Sequence, residues 1–147
     1  MRVEMTLQIG SVLINKYSLM RFFKVRKRRR SSVTKHYLTY KEQARTLVHE
    51  RLNHYNEHYG FAYNRVAIRN QRRCWGSCTS LKNLNFSYKI LFLPTELQDY
   101  IIVHELCHLE QLNHSENFWN LVEQTIPTWL ELKSDLRLLE RSGQMLS

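Results

Sequence analysis

Residues 104–114 read HELCHLEQLNH, and no other stretch narrows so far what this chain can fold into. Positions four apart share one face of a helix, so a helix here lets His104 and His108 place two imidazole nitrogens on one ion. Glu105 sits beside them, one residue round, where it reaches a water on that ion without ligating the ion itself. Such a site needs a third protein ligand and keeps one position open. His114 follows His108 by six residues, just past a helix stop read at Asn113, where the chain folds back toward the ion. Glu123 on the following helix is the rival third ligand. The ion that suits neutral nitrogen donors and an open position is Zn2+, which lowers the pKa of its water to about 7 so that a carboxylate takes the proton.

A control lies in the same sequence. His54 and His58 are also four apart on an expected helix, but Tyr55 follows His54 in place of a base and no third ligand stands near. That pair is read as surface histidines. The helix carrying it runs from Tyr40 to Tyr59, with an apolar stripe at Ala44, Val48, Leu52, Tyr55 and Tyr59, and Gly60 as its left-handed stop.

Alternation around Val66 and Ile68, and again at Leu84, Phe86 and Tyr88, predicts strands, so residues 62–93 read as a small antiparallel sheet. Pro94 ends it. TELQ at 95–98 fits a capping box, Thr95 as cap and Gln98 reaching back, which opens the helix with His104, Glu105 and His108. Ser115 caps a short helix over about 116–125, and Pro127 separates it from a last helix with Trp129, Leu132, Leu136 and Leu139 on one face. A helix, then strands, then helices is an α+β order.

Charge divides the chain at residue 36. Residues 1–36 hold ten Lys/Arg and one acid, whereas residues 37–147 hold twelve of each sign. The first segment combines a short strand expected at Val3–Ile9 with an arm whose core is Arg26, Lys27, Arg28, Arg29 and Arg30, a partner surface for DNA or RNA phosphates. The second segment is long enough for one domain. The N-terminal basic cluster follows its apolar stretch instead of preceding it, which is not a secretory signal. No apolar run reaches the roughly 20 residues that span a bilayer. Cys74, Cys78 and Cys107 are accordingly expected as reduced thiols of a cytoplasmic protein.

RRCWGSC at 72–78, NLNFSYKILFLP at 83–94 and DYIIVHELCHLEQLNHSENFW at 99–119 together resemble the YgjP-like metallopeptidase domain, a zincin related more distantly to SprT/Spartan-type proteases. The likeness spans about residues 40–127. It implies a compact zincin core, zinc held by His104, His108 and His114, and Glu105 as general base. The family pattern carries a basic residue directly before Trp-Gly-Ser-Cys, where this chain has Cys74, with Arg72 and Arg73 next to it.

The expectation is therefore a zinc metallopeptidase that hydrolyses peptide bonds through a Glu-activated water, acting on a protein or peptide, with nucleic-acid-associated proteins as candidate substrates. The alternative is a nucleic-acid-binding protein with a structural or inactive zinc site. A glutamate at 105 favours the enzyme, because a structural site has no use for a base. Arg72, Arg73, Tyr88 and backbone groups are the candidates for steadying an oxyanion. Gly76 and Ser77 leave room for another backbone to approach a sheet edge.

Overall fold

The structure is a computed structural model and describes residues 34–143. Helix α1, Lys35–Tyr59, starts where the Thr34 hydroxyl accepts a hydrogen bond from the Tyr37 backbone N–H at 3.3 Å. It therefore begins five residues before the predicted start. It stops at Gly60, whose φ of 66° is the left-handed conformation glycine adopts most readily. Ala44, Val48 and Leu52 are fully buried, and Tyr55 and Tyr59 flank them half-buried, as the stripe predicts.

The three strands are β1 (Arg65–Arg69), β2 (Gly76–Cys78) and β3 (Asn83–Ser87), and they lie in the order β1-β3-β2. β2 runs antiparallel to β3, with Gly76 opposite Phe86, but β1 runs parallel to β3, with Ile68 opposite Phe86. The sheet is thus mixed and not wholly antiparallel. Residues 70–75 carry the chain past the central place, and β3 turns back into the gap in the direction of β1. Alternation dictates which face of a strand is apolar, not which strand becomes its neighbour. Ile68, Leu84 and Phe86 deliver that apolar face to the core.

A 3₁₀ turn, Tyr88–Phe92, leads through Pro94 into α2, Thr95–Cys107. Ten of the thirteen α2 residues are buried, which makes this the central helix, packed by α1, β2, α3 and α4. Its start differs from the expected capping box. Pro94 occupies the cap and no side chain caps it. The Gln98 amide instead donates to the Leu91 and Leu93 carbonyls, at 3.3 and 2.8 Å, tying the helix to the preceding turn. The Arg51 guanidinium makes a two-pronged ion pair with Asp99 and joins α1 to α2.

Two short helices complete the unit: α3, Glu116–Glu123, and α4, Trp129–Arg141. Ser115 precedes α3 as expected, yet its buried hydroxyl makes no capping bond. Phe118 and Val122 from α3 enter the core, and Trp129, Leu132 and Leu136 from α4 pack on it. The expected strand at Val3–Ile9 and the basic run Arg26–Arg30 lie outside the described residues. None of the described helices is long and apolar enough to cross a membrane.

Candidate metal centre

α2 ends sooner than the sequence predicts, and this early end shapes the site. Its last residue is Cys107, with His108 as the C-cap and tightened turns following, instead of helix to Asn113. His104 therefore projects from the last turn, His108 from the helix end, and His114 from the connection to α3. Their Nε2 atoms converge: His104 to His108 is 3.2 Å and His104 to His114 is 3.0 Å. One nitrogen from each of the three lies within 4.8 Å of the others, the only such group of potential ligands among the described residues. Four-coordinate zinc, with bonds to nitrogen of about 2.0–2.1 Å, spaces its ligands roughly 3.3 Å apart, so the donor set fits that ion. Glu123, exposed on α3, is not in the group.

Protonation also suits metal binding. Burial, then the neighbouring His108, His114 and Lys133, drive the His104 pKa down to about 3. Burial lowers those of His108 and His114 as well. Neutral imidazoles are the form that ligates. The Nδ1 of His108 is 2.9 Å from the Gln111 carbonyl, a contact that only an Nδ1–H satisfies, which leaves the Nε2 lone pair free. The Nδ1 of His104 is buried with no such partner.

Glu105 is on the adjoining face, 7% exposed, and burial pushes its carboxyl up to about 8. A carboxyl with that proton affinity is suited to accepting a proton near neutral pH, and a dication beside it favours its ionised form. What crowds Glu105 is β2. A methyl group added at Gly76 would stand 2.5 Å from the Glu105 Cγ and 2.8 Å from its Oε1. Within the chain, the close approach at Gly76 is thus made by the glutamate side chain.

Two cavities meet at Gly76, His104 and Glu105. One, of about 340 Å³, also takes in Ser77, Cys78, His108, Leu112 and His114. The other, of about 190 Å³, is walled by Trp75, Tyr100, Ile101 and Leu136, with Arg73, Cys74 and Glu140 also lining it. Tyr100 was missed in the sequence, although it stands four residues before His104 and hence on the same helix face. Of the proposed oxyanion partners Arg73 lines this second cavity, whereas Tyr88 is buried elsewhere, its hydroxyl 3.0 Å from the His36 ring. All three cysteines are free thiols. Cys107 is in the core, while burial lifts the Cys78 pKa to about 11. His58 pairs with Gln124 at 2.9 Å, in keeping with a surface role for the His54/His58 pair.

Comparison with known proteins gives the same direction. The family model for the YgjP-like metallopeptidase domain matches residues 4–138. The structure resembles the metallopeptidase zymogen abylysin of Pyrococcus abyssi, at 27% identity and a TM-score of 0.56 over 64% of this chain and 93% of that one. It is also similar to the metallopeptidase zymogen jannalysin of Methanocaldococcus jannaschii, at 24% identity and a TM-score of 0.47 over 65% of this chain and 96% of that one. No curated protein matches. The family match contains His104, Glu105, His108 and His114, and the chain belongs to the YgjP-like metallopeptidase family.

Proposed function

We propose that this protein is a zinc-dependent peptidase in which His104, His108 and His114 hold the ion and Glu105 is the general base. The observation that carries the reading is the convergence of three imidazole nitrogens beside a buried glutamate. When bound, zinc acidifies a water and polarises a carbonyl. Glu105 takes the proton of the attacking water and returns it to the departing amine. Gly76 allows its carboxylate to lie against β2, and the buried wall of Trp75, Tyr100 and Ile101 keeps bulk water from it. Among the described residues β2 is an edge strand whose residues line both cavities, which favours an extended peptide paired along it with side chains on either side of Glu105. A nucleic-acid-associated protein as substrate is proposed from the charge of residues 1–36 alone.

The test is Glu105→Gln in zinc-loaded protein. Metal content and fold should stay as in the wild type while peptide hydrolysis falls about 10²–10⁴-fold, the usual worth of a positioned base. Wild-type activity in the variant would remove Glu105 from the mechanism.

A further inference from the structure

His114 differs from the other two histidines in what holds it. His104 and His108 are fixed by the end of α2, and His108 has the Gln111 carbonyl behind its ring. His114 is exposed on the connection between helices, and its hydrogen bonding among the described residues is confined to Nε2, the nitrogen that faces His104. A ring on a loop turns freely about its terminal torsion unless packing stops it.

Packing does stop it. The Trp119 indole lies almost parallel to the His114 ring, with centroids 5.6 Å apart and planes at 20°. Phe118 meets the same imidazole edge-on, at 4.9 Å and 84°. Behind Trp119 comes Trp129, stacked at 4.1 Å and 15°. The Lys133 ammonium sits 4.1 Å from the Trp119 ring centre and 5.5 Å from that of Trp129. Trp129 and Lys133 are one turn apart on α4, so this helix backs the indole that α3 presents.

We propose that Trp119, backed by Trp129 and Lys133, is a positioning residue that holds the His114 ring in its metal-binding orientation. The inference rests on His114 being a ligand. It also assigns α4 a role, because the first turns of that helix supply the backing. Groups that orient a metal-bound histidine are typically worth 10–100-fold in metal affinity, even though they never touch the ion. A flat ring at 119 is what the stack requires, so phenylalanine should largely suffice and alanine should not.

The experiment measures zinc affinity by competition with a chromophoric chelator for wild type, Trp119→Ala, Trp119→Phe, Trp129→Ala and His114→Ala. The thermal midpoint of each metal-free protein is recorded alongside, and cobalt is substituted to read the ligand field. The expected result is a 10–100-fold loss in Trp119→Ala, near wild-type affinity in Trp119→Phe, and a smaller loss in Trp129→Ala. The cobalt spectrum of Trp119→Ala should move toward that of His114→Ala. Trp129→Ala keeps the test alive if Trp119→Ala does not fold. If His114→Ala loses zinc while Trp119→Ala and Trp129→Ala bind it as the wild type does, the positioning role falls and the ligand set stands. If His114→Ala keeps full affinity, the ligand set itself is wrong and this inference goes with it.

Discussion

Replacing Gly76 with alanine tests the contact between β2 and the proposed base. The backbone at Gly76 is not in the left-handed region, so the new methyl brings no conformational strain. Its cost is steric. The Cβ would stand 2.5 Å from Glu105 Cγ and 2.9 Å from Cδ, whereas carbon atoms rest at about 3.5–4.0 Å. Glu105 must then retreat by about 1 Å inside a buried site. Overpacking of this kind costs about 1–3 kcal/mol, offset by about 0.4–1 kcal/mol from the stiffer unfolded chain, so a net loss of about 1–2 kcal/mol is expected. Removing the side chain that is struck should reverse the sign. In a Glu105→Ala background, Gly76→Ala should be neutral or stabilise by up to about 1 kcal/mol. Urea denaturation of the four metal-free proteins gives this coupling directly as a double-mutant cycle, with an expected value near 2 kcal/mol. Peptidase activity of Gly76→Ala should fall about 10²-fold, since misplacing a catalytic group by 1 Å costs about that much. The same destabilisation with and without the Glu105 side chain would refute the steric argument.

Two further outcomes follow from charge. Arg51→Met leaves the buried Asp99 carboxylate with the Tyr55 hydroxyl but no cation and should cost about 2–3 kcal/mol, kept below the full buried-pair value because a third of the Arg51 side chain is exposed. Thermal denaturation should show a drop of roughly 10 °C, largely restored by adding Asp99→Leu; an unchanged midpoint would show that the pair contributes nothing. For the basic arm, changing Arg26, Lys27, Arg28, Arg29 and Arg30 to serine should weaken binding to DNA of any sequence and flatten its salt dependence, whose log–log slope is about −0.9 per phosphate contacted. Wild-type protein with no salt-dependent binding would remove nucleic acid from the account.

The parts of the site that follow helix periodicity were legible in the sequence. His104 and His108 share a face because they are four apart, whereas the turn toward His114 begins at His108, well ahead of the Asn113 stop that the sequence suggested. The apolar stripe of α1 and its Gly60 stop were readable for the same reason. Features set by tertiary partners were not. Leu84 and Phe86 alternate identically whether β1 runs parallel or antiparallel to β3, so the strand order had no local signature. Gln98 matched the capping-box pattern but found better acceptors in the Leu91 and Leu93 carbonyls, which only the turn after β3 brings near. The small residue at 76 signalled a close approach, and folding alone showed that Glu105 fills it. The spacing of Trp119 from His114 likewise carries no sign that their rings stack.

Zinc stoichiometry tests the central claim most directly. Protein loaded with zinc, freed of excess metal on a chelating column and assayed by atomic emission should carry one zinc per chain. His104→Ala and His108→Ala should lose it, His114→Ala should lose most of it, and Glu123→Ala should retain it in full. Full zinc in His114→Ala together with loss in Glu123→Ala would contradict the account, because the third ligand would then lie on α3 and not on the connection after α2.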